Sequence, residues 1–169
     1  MGLVLDLNRI GEGTTRLSES LEFSELDVSW PGLVFGSRLE VAVEVARAGS
    51  DLDITLRFAG ERRGECDRCL KAFSQSFTGM ARALGRRASA QHPLSGQDGV
   101  VFHDGRRIDL TGEVREAVLV DIPIRTLCAE DCQGLCPICG ADLNPGPCGC
   151  GVGQIDPRWE ALRRARGLG

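Results

Sequence analysis

Residues 39–58 read LEVAVEVARAGSDLDITLRF, and this stretch decides the fold. Leu39, Val41, Val43 and Val45 fall on one face of an extended chain, with Glu40 and Glu44 on the other. Residues 52–58, LDITLRF, alternate in the same way. Successive strand side chains point to opposite faces, so a period of two marks a pair of half-buried strands. Ala48-Gly49-Ser50-Asp51 between them is a turn, too short for a parallel crossover. A third run, residues 72–78, puts Phe73, Gln75 and Phe77 on one side and small polar residues on the other. Together the three runs predict an antiparallel β meander.

Beyond the meander, residues 85–99 are poor in hydrophobics and rich in Ser, Gln, Arg, Gly and Pro, which predicts a surface loop. Residues 100–102 read as a strand entering a tight turn at Asp104-Gly105 and leaving through Ile108. Asp109 suits a helix N-cap, and Leu110, Val114, Ala117 and Val118 share a helical face. A helix is therefore expected over about residues 109–121, with Pro123 marking its end. Residues 128–153 are rich in Cys, Gly and Pro, with too little apolar surface to order themselves without a metal staple. A short last helix is expected after them. Asp156 suits its N-cap, Pro157 its first position, and Arg163, Arg164 and Arg166 its negative end. The expected class is α+β: an antiparallel β meander or barrel-like sheet with one packed helix, plus a small cysteine-rich zinc-binding tail. Residues 1–125 are read as the β-rich core domain and 126–169 as the zinc-binding tail.

Eight cysteines carry the strongest chemical signal. They form four close pairs: Cys66/Cys69, Cys128/Cys132, Cys136/Cys139 and Cys148/Cys150. Zinc takes four ligands, commonly as two such pairs, so eight thiols predict two Zn2+ sites. Cys136-Pro137-Ile138-Cys139-Gly140 suits a two-residue knuckle, because Pro137 pre-sets the turn and Gly140 tolerates a positive φ. Loop closure favours Cys136, Cys139, Cys148 and Cys150 as one local site and Cys66, Cys69, Cys128 and Cys132 as the other. The competing arrangement joins Cys128, Cys132, Cys136 and Cys139 and sends Cys66/Cys69 to Cys148/Cys150. Either way, a four-thiolate site has no open position and does structural work. His92 and His103 lie outside any such pair and read as exposed loop residues.

The compartment is read from the same chain. Residues 1–8, MGLVLDLN, lack a basic leader, and no run of 18 apolar residues exists, so the cytoplasm is expected. Eight cysteines in a reducing compartment point to metal rather than disulfides. A redox dithiol at Cys66/Cys69 is the alternative, but strand-like alternation resumes after Leu70 where a thioredoxin-like motif would begin a helix. A zinc-ribbon nucleic-acid-binding regulator is a further alternative.

Several short elements, taken in order, resemble the YceD family of large ribosomal RNA subunit accumulation proteins. They are Glu65-Cys66-Asp67-Arg68-Cys69-Leu70, then Ile108-Asp109-Leu110 with Glu113, Glu116 and Pro123. Next come Cys128 and Cys132-Gln133-Gly134-Leu135-Cys136-Pro137-Ile138-Cys139-Gly140, Leu143-Asn144, and Asp156-Pro157-Arg158-Trp159 with Leu162. The tail looks like that of the cysteine-rich, Gram-positive-like type. The resemblance implies a bacterial ribosome-biogenesis role in making or accumulating large-subunit rRNA, with ribosomal RNA or a large-subunit ribosomal protein as partner. It carries no catalytic residues. The turn at Phe102-His103-Asp104-Gly105-Arg106-Arg107 departs from the family's usual pattern.

Charge limits the partners. The formal charge of −4 would move to about −8 with two four-thiolate zinc sites, so nucleic acid would have to meet a local basic patch. Lys71 is the only lysine, and arginines gather at 57, 62, 63 and 68, at 82, 86 and 87, and at 106 and 107. Guanidinium suits bidentate phosphate contact, but no aromatic-basic ribonucleoprotein motif is present. Nor is there a phosphate loop, HExxH or nucleophile elbow, so the chain is read as a non-enzyme with no small-molecule substrate and no membrane span.

Overall fold

The computed structural model describes residues 2–88, 99–150 and Trp159. In chain order these form β1 (Val4–Asp6), a 3-10 turn (Leu7–Arg9), β2 (Gly13–Glu22), α1 (Phe23–Leu26), β3 (Leu33–Phe35) and β4 (Arg38–Ala48). They continue as β5 (Asp51–Glu65), β6 (Ala72–Arg87), β7 (Val100–His103), β8 (Arg107–Asp109) and α2 (Thr111–Val120). The main sheet runs β2-β4-β5-β6-β7, with β3 paired to β5, while β1 and β8 pair separately.

The meander stands where alternation placed it. Across β4 and β5, Val41 faces Phe58, Val43 faces Leu56 and Val45 faces Ile54. All six are buried on the inner face. A two-residue turn joins the strands, with Gly49 at φ 63°. Leu110 at the N-cap of α2 and Val114 and Val118 within it complete the core, together with Leu3, Leu5, Leu7 and Ile10 from the amino-terminal segment. Burial of each such aliphatic contributes about 1.5–3 kcal/mol.

Three expectations are corrected, and the pairing of β7 adds to them. The sheet is open rather than barrel-like, because β2 and β7 both end the strand order. β7 pairs with β6 in parallel, Leu84 beside Val100 and Arg86 beside Phe102, so the antiparallel meander ends at β6. β6 extends to Arg87, into the stretch expected to be loop, since Ala83 and Gly85 still face the core. The N-cap of α2 is Leu110; the Asp109 carboxylate nonetheless accepts hydrogen bonds from the Thr111 N–H at 2.9 Å and hydroxyl at 2.6 Å. The expected last helix and His92 lie outside the described residues, apart from Trp159, which is exposed.

Gly79 lies opposite Phe58 in the β5/β6 ladder, and a Cβ there would come within 2.2 Å of the ring. The glycine is what lets Phe58 lie flat across its neighbour. Arg62 is also buried, spanning Phe77 at 5.4 Å from the ring centroid and Asp121 just past α2 at 3.6 Å. A cation there suits the negative end of the helix.

Candidate metal centres

The first knuckle is the far end of the longest hairpin. β5 ends at Glu65 and β6 begins at Ala72, leaving Cys66–Lys71 to turn the chain. The Cys66 N–H donates to the Lys71 carbonyl at 2.9 Å, and the Leu70 N–H to the Cys66 carbonyl at 2.9 Å. Leu70 takes a left-handed φ of 58° to allow it. The second knuckle repeats the turn. The Cys136 N–H donates to the Ala141 carbonyl at 2.8 Å, the Gly140 N–H to the Cys136 carbonyl at 2.9 Å, and Gly140 sits at φ 72°. The Ile138 N–H points at the Cys136 sulfur at 3.4 Å.

The structure gathers the thiols into Cys66, Cys69, Cys128 and Cys132, and Cys136, Cys139, Cys148 and Cys150. This is the grouping that loop closure favours. Within each set all four sulfurs lie within 4.8 Å of one another. Across the first set, Cys66 and Cys132 sulfurs stand 3.8 Å apart and those of Cys69 and Cys128 3.7 Å. A tetrahedron with Zn–S bonds of ~2.3 Å has edges of about 3.8 Å, whereas a disulfide would close to ~2.05 Å. The donor set and its size therefore fit a four-coordinate thiophilic cation.

Electrostatics agree. Burial pushes the Cys66 thiol up, but backbone N–H groups of Cys69, Cys128 and Arg68 outweigh it and bring it down to about 6. Backbone N–H groups of Cys139 and Ile138, then the Cys148 thiol, bring Cys136 to about 6. Sulfur neighbours act oppositely on the partners: Cys132 and Cys69 push Cys128 up to about 12, and Cys139 and Cys148 push Cys150 up to about 12. One thiolate forms easily in each set, while a last proton is held by accumulated negative charge. A divalent cation removes that conflict.

The two centres differ in surroundings. Cys66, Cys69 and Cys132 are buried with Phe73, Leu127 and Leu135 packed around them. In the second set only Cys136 is buried, and Cys139 is exposed. Supporting contacts had no signature in the cysteine spacing. The Asp67 carboxylate accepts from the Thr126 N–H at 2.6 Å, and Arg68 donates to the Cys132 carbonyl at 2.8 Å, laying the segment after α2 over the first knuckle. The Leu135 N–H donates to the Arg68 carbonyl at 3.1 Å and Lys71 pairs with Asp142, which ties one centre to the other. The Asn144 side chain, accepting from the Gln133 N–H at 2.8 Å, closes the second loop. His103, expected exposed, is buried: its Nδ1 accepts from the Gly105 N–H at 3.0 Å and Nε2 faces the Ser50 carbonyl at 3.4 Å. It therefore stays out of both cysteine sets. Among the described residues, no helix is long and apolar enough to cross a membrane.

The molecule is thus a sheet-and-helix protein whose carboxy-proximal segment is organised by two four-cysteine clusters. The family described as "Large ribosomal RNA subunit accumulation protein YceD" matches residues 54–164, a span that contains both clusters and most of the hairpin carrying the first. The chain belongs to the YceD family. An uncharacterized protein of Mycobacterium tuberculosis is 31% identical over 128 residues, covering 75% of this chain and 61% of the relative. One of Mycobacterium leprae is 28% identical over 130 residues, covering 76% and 59%. The "Large ribosomal RNA subunit accumulation protein YCED homolog 1, chloroplastic" of Arabidopsis thaliana is 34% identical over 61 residues, 36% of this chain and 19% of that protein. The chain spans about three fifths of the mycobacterial relatives' length. No solved structure matches it significantly.

Proposed function

We propose that this chain is a non-enzymatic ribosome-biogenesis factor that supports synthesis or accumulation of large-subunit ribosomal RNA, with two structural zinc ions. Membership of the YceD family carries the biological half of this reading. The sulfur spacing carries the chemical half, since 3.7–3.8 Å is the edge of a zinc–thiolate tetrahedron. Cys66, Cys69, Cys128 and Cys132 would hold one ion and Cys136, Cys139, Cys148 and Cys150 the other. Four thiolates fill the coordination sphere, so the metal supplies rigidity and no Lewis-acid position. In this reading residues 1–125 are the core domain and 126–169 the zinc tail, and the first ion joins them by holding two ligands from each. The protein works in the cytoplasm, where thiols stay reduced. Burial of Cys66 and Cys69, at 0% and 4% exposure, disfavours the redox-dithiol alternative, because an oxidant must reach the sulfur.

The test has two arms. Elemental analysis of purified protein should find about two zinc ions per chain, as two four-ligand sites require. Removal of the gene should deplete large ribosomal subunits in a sedimentation profile. An unchanged profile overturns the biogenesis role, and zinc-free folded protein overturns the metal assignment.

A further inference from the structure

The outward face of the main sheet divides by charge. On β2 and β4 it carries Arg16 and Arg38 against Glu22, Glu40 and Glu44. On β6 the outward row is Ser74, Ser76, Thr78, Met80, Arg82, Leu84 and Arg86, without a single carboxylate. That absence stands out in a chain with 24 acidic residues and a net charge of −4. Arg57 of β5 stands opposite Met80, one row from Arg82, and Arg63 stands opposite Ser74. Asp51, Asp53, Glu61 and Glu65 are the carboxylates of β5 on this face, with Asp53 opposite Leu84 and Glu61 opposite Ser76. The four carboxylates of β5 thus balance the four arginines of β5 and β6 taken together, and the cationic excess lies on β6 itself, beside the β7 edge.

Two features give the row a ligand chemistry. Arg82 and Arg86 have no ion pair or hydrogen bond among the described residues, so their guanidinium groups keep all their donors for a partner. They stand about 13 Å apart along the strand, on the same face. Between and beside them lie apolar groups. Met80 and Leu84 are 54% and 46% exposed, and Val100 and Phe102 of β7 adjoin Leu84 and Arg86. Alternating guanidinium and apolar positions present cations to a phosphate backbone and flat contact to bases.

We propose that the outward face of β6, with Arg57 and the adjoining edge of β7, binds single-stranded RNA through Arg57, Arg82 and Arg86. This rests on the ribosome-biogenesis reading and names the partner's chemistry within it. Phosphates are held by the arginines and the hydroxyl row at Ser74, Ser76 and Thr78. The acidic β2–β4 side repels the strand and keeps it on one edge of the sheet.

The zinc-loaded 169-residue chain is titrated into a labelled oligouridylate of about twelve nucleotides, a length within ordinary single-strand site sizes. Salt is varied from roughly 50 to 200 mM, where phosphate contacts declare themselves. The Arg82→Ser/Arg86→Ser variant should bind at least about tenfold more weakly, with its log–log salt slope shallower by about 1.4, the loss of two single-strand phosphate contacts. Ser76→Arg, which adds a cation to an exposed position, should tighten binding and steepen the slope by about 0.7. Arg16→Ser, on the acidic side, should leave both unchanged. Equal binding by wild type and the double variant, no binding by wild type, or equal weakening by Arg16→Ser overturns the proposal. Competition by polyglutamate as strong per charge as RNA overturns it too, and assigns the face to an acidic protein. If the double variant restores a normal large-subunit profile in cells lacking the gene, this face is not the RNA site, while the biogenesis role stands.

Discussion

Leu70 and Gly140 occupy the same place in two copies of one turn. Each follows the second cysteine of a knuckle, each donates its N–H to the first cysteine's carbonyl at 2.9 Å, and each has positive φ, 58° and 72°. Only one of them is a glycine. A side chain in the left-handed region costs about 1–2 kcal/mol, and Leu70 recovers little by packing because it is 58% exposed. Glycine loses more chain entropy on folding, which offsets about 0.4–1 kcal/mol of the relief. Leu70→Gly should therefore raise the melting temperature of the zinc-loaded protein slightly, and Gly140→Leu should lower it. A fall of several degrees for Leu70→Gly would mean that this side chain makes a contact worth more than its strain.

Gly79 sets a steric limit of a different kind. A Cβ there would come within 2.2 Å of the Phe58 ring, so the ring would have to shift within the packed sheet. Gly79→Ala should destabilise by about 1–3 kcal/mol, the usual range for overpacking. Pairing it with Phe58→Leu should make the combined loss smaller than the sum of the two separate losses. Thermal unfolding of the four proteins in that cycle measures the coupling. Additive losses would show that Phe58 does not depend on the space Gly79 leaves.

What could be read from sequence was decided by which faces are buried. Leu39 to Val45 and Leu52 to Phe58 advertised their strands because every second residue enters the core. β2 gave no such signal: across GTTRLSESLE only Leu21 is buried, since the strand lies at an edge and takes its order from backbone pairing with β4. Parallel pairing of β7 was hidden because it depends on where a connecting segment returns, which no local pattern encodes. His103 was misread for the same reason, as its burial comes from the Ser50 turn 53 residues away. The cysteine grouping was legible because short loops close at lower entropic cost. The contacts of Asp67, Arg68 and Lys71 that hold the clusters together were not, because their partners in 126–142 come near only once the chain has folded.

Glu113 gives a stability signature tied to pH. Burial raises its carboxyl above the ordinary 4.5; its own backbone N–H opposes this, and Glu116 and Asp109 add like charge. A raised folded value means the native state binds this proton more tightly than the unfolded chain does. The resulting stabilisation is complete below the unfolded value and is lost as pH rises through the folded one. At pH 7 the charged Glu113 is therefore a liability. Glu113→Gln should raise the melting temperature there by about 1–3 °C. The gain should shrink toward pH ~5, while zinc thiolates are still largely metal-bound. A gain independent of pH would place the effect in packing or helix propensity instead.

The unequal burial of the two clusters predicts unequal consequences when each is broken. Cys69 is 4% exposed in a cluster that draws two ligands from the β5/β6 turn and two from the segment after α2. Cys148 belongs to a cluster contained within residues 136–150, partly open to water. Under the two-zinc reading, Cys148→Ser should leave about one zinc ion per chain, with hydrogen exchange faster in residues 133–150 and unchanged in β4 and β5. Cys69→Ser should release the core-spanning ion and also loosen the second cluster, because the Arg68 carbonyl and Lys71 that brace Leu135 and Asp142 lie on the same turn. Its zinc content should fall below one per chain, and exchange should quicken at the ends of β5 and β6 nearest Cys66. Equal zinc loss and equal exchange in the two variants would mean the clusters form and fail as one unit, with burial irrelevant to which yields first.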